Sequence, residues 1–121
     1  MHMFRIKRVY LSAEATDGYR VLVDRIWPRG LTKEAAAADL WLKEVAPSTE
    51  LRKWFNHEEA RWPEFQVRYR RELQSLEVAE AFETLARIGQ EHAVVTLLFG
   101  AKDEARNQAV ALLAVLNEKA P

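Results

Sequence analysis

The sequence predicts a small α/β fold, an open and mostly parallel sheet of three to four strands packed with helices. Three observations carry that expectation. The run Ala93–Phe99 is apolar along its length with no solvent face, the pattern of a strand buried on both sides. A glycine turn and a helical stretch follow it, which is the strand–turn–helix order of α/β folds. A second run, Val21-Leu22-Val23, is also continuously apolar, and Trp27-Pro28-Arg29-Gly30 ends it.

The elements follow in order. Phe4 to Tyr10 reads as a strand with Phe4 and Ile6 on one face and Arg5 and Lys7 on the other. Its alternation slips at Arg8-Val9, as at an edge or a bulge. Ala13–Gly18 is a loop, and Tyr19–Ile26 a second strand; whether the two strands pair is left open. Proline lacks a ladder donor and glycine permits a sharp bend, so the chain turns at 27–30. Thr32–Ala38 reads as a short helix, and 39–45 as a short strand or the rest of that helix.

Ser48 is a natural N-cap for a helix to about Phe55. A second helix begins near Arg61 with Pro63 in its first turn, and Trp62, Phe65, Tyr69, Leu73 and Leu76 form its packed stripe. A third runs from about Glu77 to Ile88, with Gly89 as its left-handed end. Ala93–Phe99 is placed centrally. Asp103 is expected to cap the last helix, with Ala105, Ala109, Leu112, Leu113 and Leu116 on the buried face.

The chain has 121 residues, which predicts one domain. Apolar residues make up 49% and charged residues 30%, an ordinary globular mix. The apolar runs are too short to span a bilayer, so no membrane association is expected. Cysteine is absent, which excludes disulfides, thiol nucleophiles and thiolate metal sites and fits a reducing cytoplasm. The three histidines, at 2, 57 and 92, are scattered, so no metal site is expected; no cofactor is implied.

Formal net charge is zero, a poor basis for sequence-independent nucleic-acid binding. The distribution is uneven, however. Residues 1–33 hold Arg5, Lys7, Arg8, Arg20, Arg25, Arg29 and Lys33 against Glu14, Asp17 and Asp24. A balanced total can therefore hide a positive patch.

Open sheets bind ligands beyond the carboxyl ends of parallel strands. If the strands at 19–26 and 93–99 are parallel, two segments arrive there. In the first, Arg25 and Arg29 offer planar donor forks for phosphate or carboxylate, and Trp27 a stacking wall. Asp24 follows three apolar residues, so burial should force it to find a partner or hold a proton. Its structural use would be a brace to Arg25 or Arg29. In the second segment, Gly100 and Ala101 admit a ligand to the backbone, Lys102 adds a point charge, and Asn107 sits one turn beyond Asp103. Asp24 and Asp103 are the candidate proton-handling groups. Arg25, Trp27, Arg29, Lys102 and Asn107 are the candidate ligand-binding groups. There is no complete phosphate-loop pattern. His57, beside aromatics, is a weaker acid–base candidate than a solvated loop histidine is a bland one. The arginines near Trp62, Phe65 and Tyr69 read as the surface of an amphipathic helix.

The stretches Lys7-Arg8-Val9-Tyr10, Gly18 through Gly30 with its Asp-Arg-Ile-Trp-Pro-Arg-Gly, Trp41 through Phe55, and Ala101-Lys102-Asp103 with Asn107 resemble the YeaO-like branch of the domain of unknown function 488 family. The resemblance covers nearly the whole chain. It implies a small bacterial or archaeal cytoplasmic α/β protein and implies no activity. Other branches carry a Cys-His-Arg-like group in the final helix region, where this chain has Asn107-Gln108. The expectation is thus a site for an anionic small molecule at the strand ends, with or without catalysis. The alternative is a non-catalytic module binding nucleic acid or a partner.

Overall fold

The computed structural model describes residues 2–119. Strands β1 (Met3–Arg8), β2 (Tyr19–Leu22), β3 (Leu40–Trp41) and β4 (Val94–Phe99) form one sheet in the order β1-β4-β2-β3. Every pair is parallel. Helices α1 (Lys33–Ala36), α2 (Thr49–Phe55), α3 (Trp62–Leu73), α4 (Leu76–Glu91) and α5 (Gln108–Lys119) complete the α/β fold. The apolar run takes the interior position its lack of a polar face demanded, as β4 between β1 and β2.

Consecutive strands β1 and β2 do not pair, because β4 lies between them. Residues 9–18 therefore carry the chain back across β4, from the end of β1 to the start of β2. Three contacts seat this crossover. Thr96 Oγ1 on β4 donates to the Asp17 carbonyl at 2.6 Å. Gly18 has φ +66, and a Cβ there would lie 2.2 Å from the Val94 carbonyl oxygen, so a side chain has no room. The Asp17 carboxylate, 2% exposed, accepts from the Glu14 amide (3.0 Å), Lys7 Nζ (3.1 Å) and Arg20 Nη1 (2.5 Å). Burial opposes its ionisation, but those donors outweigh burial and hold the carboxyl below its ordinary range. Arg20 also donates to the Ala36 and Ala37 carbonyls at 2.8 and 2.9 Å.

Alternation along the strands sends side chains to two cores. Val21, Val95, Leu97 and Phe99 pack against the helices with Phe55, Phe65, Tyr69, Phe82 and Leu112. Leu22 and Leu98 join Val9 and Ala36 on the other face, under Trp27 and Leu31.

Several boundaries differ from the sequence expectation. β1 stops at Arg8 and β2 at Leu22, although the Val23 amide still donates to the Leu98 carbonyl at 3.0 Å. Residues 39–45 resolve into the two-residue β3 and a 3-10 turn, Lys43–Val45. Leu76 does not continue the α3 stripe: the chain breaks at Ser75, and Leu76 opens α4 at 96% exposure. Gly89 does not end its helix. It lies inside α4, where a Cβ would fall 2.4 Å from Phe4 Cζ, so the glycine seats the Phe4 ring. Asp103 does not cap α5, which starts five residues later at Gln108. Its Oδ1 instead accepts from the Ala105 and Arg106 amides (2.9 and 3.0 Å), a local turn. Asn107 is the cap, its Oδ1 accepting from the Val110 amide at 3.0 Å. Ala105 lies outside the helix and is exposed.

Candidate functional site

Because β2 and β4 are adjacent and parallel, the chain leaves both at the same rim. There Asp24 Oδ2 accepts from the Gly100 amide at 2.9 Å, and Oδ1 accepts from Gln108 Nε2. The two segments singled out in the sequence are thereby joined through one carboxyl group. A Cβ at residue 100 would lie 2.9 Å from Asp24 Oδ2, so glycine makes this approach possible. Between the segments opens a cleft of about 180 Å³. Its apolar lining is Ile26, Ala46, Pro47, Phe55, Phe65 and Ala101, and its polar lining is Asp24, Arg25, Arg52, His57, Asn107 and Gln108. Burial pushes the Asp24 carboxyl up to about 6, against the opposing hydrogen bonds from Gly100 and Gln108.

Arg25 lines the cleft but does not brace Asp24. Its Nε donates to the Pro47 carbonyl (2.9 Å) and its Nη2 to the Ala46 carbonyl (3.1 Å). The guanidinium thus fixes the wall that precedes α2. That helix is capped by Ser48, whose Oγ accepts from the Leu51 amide at 3.1 Å, as its position in the sequence predicts. α2 delivers Phe55 to the cleft floor and exposed Arg52 to its lip. Asn56 and His57 then take left-handed conformations (φ 46 and 55), which bring the His57 ring to 6.0 Å from Phe55 between centroids.

The structure therefore brings together Asp24, Arg25 and Asn107 of the predicted set. Asn107 is buried, and both ends of its amide are engaged: Nδ2 donates to the Asp103 carbonyl at 2.8 Å and Oδ1 caps α5. It shapes the wall. Trp27 packs on the opposite face of the sheet, with Nε1 donating to the Leu31 carbonyl (2.6 Å) and its ring edge-on to Trp41 at 5.3 Å. Asp103 lies outside the lining, and the Ala105 and Arg106 amides hold its carboxyl below the ordinary range. Arg29 and Lys102 are exposed and do not line the cleft. His92 stacks on Tyr19 at 4.3 Å, at the amino ends of the strands.

Arg52, Phe55, Phe65 and Gln108 were not singled out as site residues. Phe55 and Phe65 carry only the signature of core positions, and Arg52 that of an exposed helix face. Gln108 is distinguished only by its contact with Asp24, 84 residues earlier in the chain. Chemically the cleft offers a carboxyl group titrating about pH 6, two guanidiniums, an imidazole and an apolar floor. No hydroxyl or thiol side chain is among its lining residues.

The family model described as "Inactive DUF488-N3 subclade" matches residues 3–120. The uncharacterised protein YeaO of Escherichia coli is 46% identical over 106 residues, 88% of this chain and 90% of the relative. An uncharacterised protein of Mycobacterium tuberculosis is 42% identical over 114 residues, covering 93% and 92% of the two chains. No solved structure matches. With the parallel sheet, the Asp-Arg-Ile-Trp-Pro-Arg-Gly bend and a match along nearly its whole length, this chain belongs to the DUF488 family, in its YeaO-like N3 branch.

Proposed function

We propose that the protein is a small-ligand-binding protein whose cleft takes an anion, a carboxylate or phosphate, attached to a compact apolar body. The observation that carries this reading is the meeting of Arg25, Arg52, His57 and the half-buried Asp24 over a floor of Phe55 and Phe65. Apolar lining with a few convergent polar groups is the usual character of a binding site. The volume, about 180 Å³, is below the ~300–1,000 Å³ of drug-sized sites, which favours a small molecule or the end of a larger one. Arg52 at the lip receives the anion as a bidentate partner. Asp24 meets the ligand as acceptor or, protonated, as donor.

Binding is favoured over turnover by the lack of a hydroxyl or thiol nucleophile in the lining and by the word "inactive" in the family description. Asp24 is the group through which any proton transfer would run, since its titration about pH 6 suits an acid or base near neutrality. The alternative of a nucleic-acid module based on the N-terminal positive charge has less support. Lys7 and Arg20 are engaged with buried Asp17, and Arg25 with two carbonyls. The cysteine-free composition supports action in the reducing cytoplasm. No described helix is long and apolar enough to cross a membrane.

The test is a titration with phenylacetate and phenyl phosphate followed by amide NMR shifts. Saturable shifts are expected at Ile26, Ala101 and Gln108. Arg52→Ala should weaken binding at least tenfold, about 1.4 kcal/mol, without moving the unfolding midpoint. Absence of saturable shifts at the cleft with either compound at millimolar concentration would refute the reading.

A further inference from the structure

We infer that the carboxyl rim of the sheet holds a second anion site, separate from the cleft, in which Arg8, Arg29 and Lys102 gather around Tyr10 to receive a phosphate group. β1 ends at Arg8 in register with Phe99, so both chains leave the sheet at one level. Arg8 Nε donates to the Ala101 carbonyl at 3.1 Å, which sets its guanidinium beside the backbone of Lys102. The same guanidinium lies 4.8 Å from the centre of the Tyr10 ring. Tyr10 in turn donates its hydroxyl to the Arg29 carbonyl at 2.8 Å. Two hydrogen bonds and one ring contact thus tie the Arg8 guanidinium to the backbone preceding Lys102 and, through Tyr10, to the backbone of Arg29.

Four other cations of the N-terminal third are engaged elsewhere. Arg5 donates to the Thr16 carbonyl, Lys7 and Arg20 pair with Asp17, and Arg25 is bound to Ala46 and Pro47. Arg8, Arg29 and Lys102 form no ion pair with any described carboxylate. The acids nearest in the chain do not neutralise them. Asp103 pairs with Arg106, Asp24 faces Gly100 and Gln108, and Glu104 is exposed and makes no ion pair among the described residues. Arg29 and Lys102 are exposed, and Tyr10 is 40% exposed, so the group is open to solvent. Like charges held together without a counter-charge repel, and a bound anion relieves that repulsion. Two guanidinium forks and an ammonium match the several oxygens and the higher charge of phosphate better than a single carboxylate.

The test titrates the full chain at low salt with inorganic phosphate, a nucleoside monophosphate and a short single-stranded oligonucleotide. The double variant R29A/K102A should lose at least tenfold in phosphate affinity while its unfolding midpoint stays unchanged, since neither side chain has a partner among the described residues. Arg8→Lys keeps the charge and should lose less. Arg52→Ala removes the anion partner of the cleft, so binding at this second site is read locally, from phosphate-induced amide shifts of Tyr10, Gly30 and Lys102, which the variant should leave unchanged. Equal affinity for inorganic phosphate and the monophosphate would support a lone phosphate group as the ligand. Much tighter oligonucleotide binding with steep salt dependence would support the same site with a phosphodiester chain as the source. No saturable binding of any probe, or phosphate affinity lowered by Arg52→Ala and not by R29A/K102A, would overturn the site. The latter outcome would leave the cleft reading standing.

Discussion

At the scale of single residues, Asp24 is the most informative position. Its neighbours in sequence point elsewhere: Arg25 to the carbonyls before α2, Ile26 partly into solvent, Trp27 across the sheet. Its own carboxyl joins the two strand-end segments. That role has an energetic cost, because the folded carboxyl titrates about 6 rather than near 4. The folded state then binds the proton more tightly than the unfolded state. Stability is greatest below about pH 4 as far as this group is concerned, falls as pH rises through 4 to 6, and is lower by roughly 3 kcal/mol at neutrality. Asp24→Asn keeps an oxygen for the Gly100 amide and removes the ionisation. Urea unfolding between pH 4 and 7 should show a shallower decline for the variant than for the native chain. An identical slope in both would mean that Asp24 is not the titrating group. The same carboxyl lines the proposed cleft.

At the scale of elements, helix starts place the walls of the site. Ser48 caps α2 as its sequence position predicts, and Glu72 of α3 accepts from its amide and hydroxyl at 2.8 and 2.6 Å. This double tie makes the α2 start a fixed wall. The start of α5 is less legible. Asp103 and Asn107 are both good capping residues in sequence, and propensity ranks them nearly equal. Packing decides between them: Asn107 is 2% exposed and bonded at both ends of its amide, whereas Asp103 closes a turn at the surface. Asn107→Ala should therefore destabilise the protein by about 1–2 kcal/mol. Hydrogen exchange should quicken at the first amides of α5 and at Gly100, which Gln108 supports through Asp24. Asp103→Ala should leave the α5 amides nearly as protected as before. Faster α5 exchange in the Asp103 variant than in the Asn107 variant would reverse the assignment.

At the scale of the whole molecule, the crossover from β1 to β2 determines what the strand ends can do. By placing β4 between them, it sets the ends of all three strands on one rim, where the cleft and the cluster of Arg8, Arg29 and Lys102 both lie. The crossover depends on Gly18 lying against Val94. Gly18→Ala should destabilise by more than about 1 kcal/mol, because the left-handed conformation and the contact with β4 both exclude a methyl group. Chemical denaturation measures this directly, and an unchanged midpoint would show that the loop can seat itself otherwise. The sequence by itself determined the approximate places of the main strands and helices, the interior position of β4 and the Ser48 cap. Each depends on periodicity or on a residue's local chemistry, which travel with the sequence. Only the tertiary structure decided that β1 and β2 are separated, that Gly89 sits inside a helix under Phe4, and that Arg25 parts company with Arg29 and Lys102. It also decided that Asp24 binds Gly100 and Gln108 rather than an arginine. These outcomes depend on which surfaces meet across long separations in the chain, and no local pattern encodes the direction a side chain takes once a strand has ended.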